Sequence, residues 1–320
     1  MSIPCRQAFT QELLELARKN PLIMALCSDS RGSVTLNQYA DELPEQFVEV
    51  GIAEQNCVGI AAGLANAGFR PFVTGPACFY SMRSAEQVKV DIAYSKSNVK
   101  IIGISGGVSY GALGTSHHSL QDIATMCAIP NLTVILPADA WQTKSMTRVL
   151  AKEDGPVYVR MGRGAVADIY GPDSMTGLEI PFQTGKAITL RTGSDLLLVG
   201  TGETVALVWQ AAALLAERGV QATVLDMATL KPFDETAVLK AAQVCPAVIS
   251  VEEHSLHGGL GDQIAGLLSQ QRPRLMKKFA LPDEDLVTGS SAEVFRHYGL
   301  TKENIAQQAE ILITRSKGGE

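Results

Sequence analysis

The sequence of 320 residues lacks both a run of basic residues and a long apolar stretch. No run of Lys or Arg exceeds two residues, and the formal net charge is −6. Nucleic-acid binding needs a basic patch that faces the phosphate backbone, and a membrane-spanning helix needs about 20 apolar residues in succession. We therefore predict that neither nucleic acid nor a membrane is a partner of this chain.

Cysteine is scarce and widely spaced, at positions 5, 27, 57, 78, 127 and 245. No two cysteines form a CxxC pair, and none has the spacing to histidine that metal sites show. Residues 1–4 also lack the basic and apolar regions of a signal peptide. These absences predict reduced thiols, no metal ligands and a cytoplasmic location.

Hydrophobic residues make up 46% of the chain and fall into short apolar runs that alternate with helix-length amphipathic segments. The strand-like runs in the first half are 22–27, 47–50, 72–74, 99–104, 133–136 and 157–160. Strands that are apolar on both faces are typical of a parallel sheet covered by helices. The pattern predicts an α/β fold.

A stretch rich in glycine and proline interrupts this alternation after residue 161. Beyond it, further strands are predicted at 196–199, 222–225, 247–251 and 277–280. We divide the chain into a first domain at 1–165, a linker at 166–187 and a second, smaller domain at 188–320. Each domain is expected to hold a parallel or mixed sheet flanked by helices.

One carboxylate lies where a charge is unfavourable, because Glu54 stands between an apolar strand and a helix of small residues. Burial raises the pKa of such a group unless a partner hydrogen-bonds it, and the group is then suited to share a proton with a ligand. A helix-terminal acid favoured by the helix dipole explains the same residue equally well. The local sequence leaves both interpretations open.

The segment around Glu54 resembles the pyrimidine-binding domain of thiamine diphosphate enzymes in the transketolase and deoxyxylulose-phosphate synthase superfamily. Further similar segments follow in family order at 70–73, 85–88, 114–117, 129–139 and 155–160. Past the linker, 193–195, 231–234 and 252–261 are similar to the family's C-terminal domain. The resemblance implies a transferase that moves a two-carbon ketol unit from a ketose or ketose phosphate to an aldose.

The resemblance also assigns residues to the cofactor. Glu54 matches the glutamate that hydrogen-bonds the pyrimidine ring and activates thiamine diphosphate, and Phe79 matches the aromatic residue that stacks on that ring. Arg83 and Ile52 are further candidates for cofactor binding, and a helix-capping role is the alternative for Arg83. Glu54 is therefore expected to be both a catalytic and a cofactor-binding residue.

For the substrate, the resemblance points to two histidines, two arginines and a serine. His117 matches the histidine near the reacting carbonyl, and an imidazole suits this place because it titrates near neutral pH. Arg163 matches a phosphate-binding arginine, whose planar guanidinium binds oxyanions in a bidentate manner. Ser33, Arg6 and His118 are weaker candidates for the same sugar substrate.

Two positions depart from the transketolase pattern. Leu113 stands where ordinary transketolases carry an acid, and Ser105 stands where they carry a histidine. A site that lacks hydrogen-bonding groups for a donor hydroxyl discriminates its substrates differently. The identity of the donor, and whether it is phosphorylated, therefore stays open.

The chain also lacks the Gly-Asp-Gly and Asn motif of the family's diphosphate-binding domain. The resemblance implies a separate N-terminal subunit that supplies this domain and holds most of the diphosphate and Mg²⁺, in an assembly of the α2β2 type. We expect the chain to be active only with that partner.

Two alternatives accompany this hypothesis. The β-subunit of a 2-oxoacid dehydrogenase E1 has a similar His-His-Ser run at 117–119, but the segments 129–131 and 137–139 favour the transketolase branch. A catalytically silent regulatory subunit is the second alternative, and the presence of Glu54 argues against it.

Overall fold

In a computed structural model, which describes residues 3–318, the chain folds into two β-sheets that are covered by helices. The strands are β1 (Ile23–Cys27), β2 (Phe47–Glu49), β3 (Arg70–Pro76), β4 (Lys100–Ile104), β5 (Thr133–Ile135), β6 (Val157–Met161), β7 (Ile188–Arg191), β8 (Leu196–Gly200), β9 (Ala222–Asp226), β10 (Thr229–Lys231), β11 (Ala247–Ser255) and β12 (Leu275–Leu281). The seven-stranded sheet has the order β10-β5-β6-β4-β3-β1-β2, and the five-stranded sheet has the order β12-β11-β8-β9-β7.

Helices connect these strands along the whole chain. They are α1 (Cys5–Ala17), α2 (Asn37–Glu42), α3 (Glu54–Asn66), α4 (Ala77–Met82), α5 (Ala85–Gln87), α6 (Asp122–Ala128), α7 (Ala140–Leu150), α8 (Val205–Glu217), α9 (Glu235–Val244), α10 (Leu260–Gln271), α11 (Ser291–His297) and α12 (Lys302–Gly318). Short 3-10 helices lie at Pro44–Gln46, Gly111–Ser116 and Gly202–Thr204, and a π-helix spans Val88–Tyr94. No helix within residues 3–318 is both long and apolar enough to cross a membrane.

The central strands are parallel and fully buried, as their two-sided apolar sequences predict. Every residue of β1, β4, β6, β8 and β9 is buried, because helices cover both faces of each sheet. The antiparallel strands β7 and β10 occupy one edge of each sheet, so both sheets are mixed. The predicted α/β fold with parallel or mixed sheets is confirmed.

One strand links the two halves of the chain. Strand β10 follows the predicted linker by more than 40 residues, yet it pairs antiparallel with β5 and completes the first sheet. The predicted boundaries at 165 and 187 remain a prediction, and they assign this strand to the second domain. The first sheet therefore needs residues from both sides of the linker.

The linker itself is anchored rather than loosely connected. The Asp139 carboxylate caps α7 and also accepts hydrogen bonds from the backbone N–H groups of Ile169 and Tyr170, both at 2.7 Å. The buried Tyr170 hydroxyl donates to Asp226 Oδ2 at 2.5 Å, at the end of β9. These contacts join the linker to the start of α7 and to strand β9 of the second sheet.

Candidate active site

Glu54 is the first residue of α3, and its side chain is only 7% exposed. Arg83 Nη1, from the segment after α4, donates a hydrogen bond to Glu54 Oε1 at 2.9 Å. The positive end of the helix dipole also faces this carboxylate. The structure thus supplies the hydrogen-bonding partner that a buried carboxylate requires.

Phe79 lies on α4, and the Arg83 guanidinium covers its ring at 3.7 Å from the ring centroid. Arg83 therefore donates to Glu54 and stacks on Phe79 at the same time. A planar group that carries N–H donors satisfies both contacts. The Arg83 side chain is 48% exposed, so these contacts lie at the protein surface.

His117 follows the 3-10 helix Gly111–Ser116 and contacts Phe79 edge to face, with 5.3 Å between the ring centroids. Its other aromatic neighbour is Tyr110, at 5.2 Å between centroids. The Ser116 hydroxyl lies 2.9 Å from His117 Nδ1. With Nδ1 engaged in this way, Nε2 is the ring nitrogen that remains for a ligand.

Two arginines converge on Ser33. Arg163 Nη1 donates to Ser33 Oγ at 3.0 Å, and Arg6 donates to the Ser33 carbonyl oxygen. The Tyr110 hydroxyl lies 3.2 Å from Ser33 Oγ, and the Arg163 guanidinium lies 5.1 Å from the Tyr110 ring centroid. Burial, together with the nearby charge of Arg163, lowers the pKa of Arg6. This local positive charge is suited to an oxyanion.

Eight side chains thus form one continuous series of contacts, which we call the site row. In order, the site row consists of Glu54, Arg83, Phe79, His117, Tyr110, Arg163, Ser33 and Arg6. Seven of these residues were predicted from the sequence, although they are spread over 158 positions of the chain. The row has a carboxylate and an aromatic ring at one end and two guanidinium groups at the other.

Two predicted residues stand apart from the site row. His118 is 6% exposed, and its Nε2 lies 3.2 Å from the carbonyl oxygen of Gly111. Ile52 is 75% exposed and precedes α3. Their predicted roles in substrate and cofactor binding therefore rest on the resemblance alone.

Tyr110 is the member of the site row that sequence reasoning missed. It is the single aromatic residue in the glycine-rich segment 105–116, which is the signal that marks it in the sequence. Its hydroxyl contacts Ser33, to which both arginines donate, and its ring contacts His117. Tyr110 therefore joins the two ends of the row.

The two positions that depart from the family pattern differ in exposure. Leu113 is 54% exposed on the 3-10 helix. Ser105 is fully buried at the end of β4, with φ of +62°, and its hydroxyl has no hydrogen-bonding partner among residues 3–318.

The six cysteines form no disulfide. Within the same described residues, no three His, Cys, Asp or Glu side chains are grouped as a metal site.

Two family models and a solved structure match this chain over most of its length. The family model for the transketolase pyrimidine-binding domain matches residues 1–168, and the model for the transketolase C-terminal domain matches residues 185–305. The solved structure described as "Split gene transketolase, inactive beta4 tetramer" superposes with a TM-score of 0.87 at 35% sequence identity. The superposition covers 98% of this chain and 99% of that chain.

Two curated relatives extend over nearly the same length. An apulose-4-phosphate transketolase subunit from Phocaeicola vulgatus is 52% identical over 307 residues, which cover 96% of both chains. The 6-deoxy-6-sulfo-D-fructose transketolase subunit SqwH of a Clostridium species is 34% identical and covers 97% of this chain and 94% of its own.

The fold and the two matching family models define an α/β protein of the transketolase class. The chain belongs to the transketolase family and corresponds to its pyrimidine-binding and C-terminal domains. The resemblance inferred from the sequence is thereby confirmed.

Proposed function

We propose that this chain is the C-terminal subunit of a split, thiamine diphosphate-dependent transketolase, and that the site row is its part of the active site. The observation that carries this proposal is the series of contacts from Glu54 to Arg6. One end of the row suits a planar nitrogen ring, and the other end suits a tetrahedral anion. A ketol transferase needs both, since the cofactor and a ketose phosphate meet at one site.

Glu54 and Phe79 fit the pyrimidine ring of thiamine diphosphate. The support for this fit is Arg83, whose planar guanidinium already donates to Glu54 and stacks on Phe79. When bound, the cofactor supplies a carbanion-stabilising centre that the amino acids lack. In this proposal Glu54 accepts a hydrogen bond from the ring, Phe79 covers its face, and Arg83 gives up at least one of its present contacts.

His117 is proposed to hold and move a proton at its Nε2 atom. Ser116 engages Nδ1, and the rings of Phe79 and Tyr110 restrict the orientation of the imidazole. A positioned imidazole contributes about 10² to 10⁴ in rate when it transfers a proton to or from a reacting oxygen. His117 also lies between the two ends of the row, where a substrate carbonyl would stand.

The substrate is proposed to be a ketose that ends in a phosphate, bound by Arg163, Arg6 and Ser33. The 52% identical relative acts, by its name, on apulose 4-phosphate. The sulfosugar in the name of the second relative also ends in a tetrahedral oxyanion. We favour the phosphate because the more similar relative is named for one, and a sulfonate is the alternative that the experiment below distinguishes.

We infer that a second subunit supplies the diphosphate-binding domain and the ligands of Mg²⁺. The sequence lacks the Gly-Asp-Gly and Asn motif that this task needs. The similar solved structure is a β4 tetramer that its description calls inactive, which is consistent with a requirement for another subunit. We propose an α2β2 assembly and a cytoplasmic location.

The decisive experiment mixes this chain with the candidate partner subunit, thiamine diphosphate and Mg²⁺. Cleavage of the donor is followed for a ketose phosphate, a ketose sulfonate and a 2-oxoacid with a lipoyl acceptor. Ketol transfer from the phosphate supports the proposal, whereas acyl transfer to the lipoyl group supports an E1 β-subunit instead. Full ketol transfer by the isolated chain would disprove the requirement for a partner.

Glu54→Gln provides the mechanistic arm of that experiment. It keeps the size of the side chain and removes the charge, so we expect the rate of ketol transfer to fall by about 10² to 10⁴. Glu45→Gln is the matched control, because Glu45 is exposed, lies in the 3-10 helix Pro44–Gln46 and belongs to none of the segments that resemble the family. Unchanged turnover by Glu54→Gln removes Glu54 from the mechanism.

A further inference from the structure

The segment 106–119, which carries Tyr110 and His117, lies directly against the C-terminal domain. The backbone N–H of Val108 donates to Glu253 Oε1 at 2.8 Å, and Glu253 belongs to strand β11 of the second sheet. Arg160 Nη2 of the first sheet donates to the Glu253 carbonyl oxygen at 2.8 Å. Both side chains are nearly fully buried.

Glycine allows this close approach. A Cβ atom at Gly107 would lie 2.2 Å from Glu253 Cδ, and one at Gly106 would lie 2.1 Å from Arg160 Nε. Gly107 also has φ of +60°, which favours glycine. The backbone of the segment therefore packs onto the Arg160–Glu253 pair without room for a methyl group.

The rest of the segment is held by the same domain. Val108 and Leu120 form a small apolar cluster with Leu281, Leu286 and Val294. The Thr115 hydroxyl lies 3.4 Å from Asp285 Oδ1, so a polar contact reaches the 3-10 helix as well. Contacts with the second domain at Val108, Thr115 and Leu120 thus lie before and after Tyr110 and His117 along the sequence.

We propose that Glu253 is a positioning residue, which fixes the segment 106–119 so that Tyr110 meets Arg163 and His117 meets Phe79. The proposal rests on the proposed function for its catalytic consequence, but the fixation itself does not. Glu253 touches none of the site row and acts through the Val108 N–H. The second domain thereby contributes to catalysis across the boundary between the sheets.

The matched control is Glu252, the preceding residue on β11. Its carboxylate is equally buried, but it accepts from the N–H groups of Leu260 and Gly261 at 2.7 and 2.8 Å, at the start of α10. Removing Glu252 perturbs the second domain without touching the segment 106–119. A comparison of the two substitutions separates positioning from a general loss of stability.

The test measures amide hydrogen exchange of the full chain in peptides that cover 106–119, for Glu253→Ala, Glu253→Gln and Glu252→Ala. We expect exchange in this segment to rise at least about tenfold in Glu253→Ala, because the Val108 N–H loses its acceptor. Glu253→Gln retains an oxygen for that N–H, so its exchange should stay closer to the wild type. Glu252→Ala should leave this segment unchanged.

The reconstituted complex gives the second readout. Displacing Tyr110 and His117 should raise the KM for the phosphorylated donor several-fold and lower kcat about tenfold or more in Glu253→Ala. Partial unfolding alone lowers the apparent kcat and leaves KM unchanged. Glu253→Gln should recover part of both effects.

Equal exchange in Glu253→Ala and Glu252→Ala overturns the proposal, whatever the activity. Faster exchange without any change in KM or kcat also overturns it, since the segment is then loosened without consequence. If the wild-type complex transfers no ketol unit, the proposed function fails while the exchange data still decide the fixation. Should Glu253→Ala not fold, Gly107→Ala, whose Cβ displaces the same backbone, replaces it.

Discussion

Two arginines, Arg83 in the site row and Arg160 in a group of buried charges, differ in their exposure to solvent. The Arg83 side chain is 48% exposed and has one carboxylate partner, Glu54. The Arg160 side chain is 6% exposed and lies 3.5 Å from carboxylate oxygens of both Asp122 and Glu253. Solvent can replace the contacts of Arg83, but it does not reach those of Arg160.

We call the second group the buried cluster. It consists of the buried residues Arg160, Asp122 and Glu253 and of the partly buried Glu203. The Tyr158 hydroxyl donates to Asp122 Oδ2 at 2.8 Å, and the Gly162 N–H donates to Glu203 Oε1 at 3.0 Å. These hydrogen bonds hold the cluster inside the protein, although Asp122 Oδ1 and Arg160 Nε have no hydrogen-bonding partner among residues 3–318. The site row keeps charges at the surface, where a ligand can exchange with them. The difference suggests that binding and positioning are divided between two sets of charges.

The largest effect should come from removing the cation of the buried cluster. Arg160→Met preserves an apolar chain but leaves the carboxylates of Asp122 and Glu253 without their cation. Breaking a buried pair in this way destabilises a protein by about 3–5 kcal/mol. Urea unfolding of the purified chain measures the change in the free energy of unfolding. A loss below about 1 kcal/mol would mean that the buried cluster is no more important for stability than a surface pair.

A second, smaller effect concerns pH. Burial, and then the charge of Glu253, raise the pKa of Glu203 to about 8. The folded state therefore binds a proton between pH 4.5 and 8 that the unfolded chain has released, and the free energy of unfolding falls as pH rises through this range. The slope for one such group is at most about 1.4 kcal/mol per pH unit, and it ends above the folded-state pKa.

Glu203→Gln tests this assignment, because the amide keeps an acceptor for the Gly162 N–H and does not titrate. Urea unfolding between pH 5 and 8 should show a flatter profile for this variant than for the wild type. Glu45→Gln, at an exposed position, should leave the profile unchanged. Parallel profiles for the wild type and Glu203→Gln would show that Glu203 is ionised throughout the range.

Much of the fold followed from the sequence because its strands are apolar on both faces. Strands β7 and β10 were missed, since each is short, contains polar residues and has a single neighbour at a sheet edge. The pairing of β10 with the first sheet is a contact between segments about 95 residues apart, which local periodicity does not encode.

The candidate site followed from motifs rather than from periodicity. Motifs indicated Glu54, Phe79 and His117, but they carry no information on how side chains from distant segments meet. The double contact of Arg83 depends on rotamers, and the bond from Val108 to Glu253 spans 145 positions of the chain. Such contacts become visible only once both sheets are in place.

The smallest effect completes the comparison, since it makes the same substitution in the site row. Arg83→Met removes a half-exposed guanidinium from Glu54 and Phe79. We expect the free energy of unfolding to fall by about 1–2 kcal/mol, because the buried Glu54 carboxylate loses a hydrogen-bond donor but solvent reaches the vacated position and the start of α3 still faces Glu54. Urea unfolding of Arg83→Met beside Arg160→Met, in one buffer, measures both. A loss for Arg83→Met as large as that for Arg160→Met would place both arginines in the framework of the fold, and the division between binding and positioning charges would have to be abandoned.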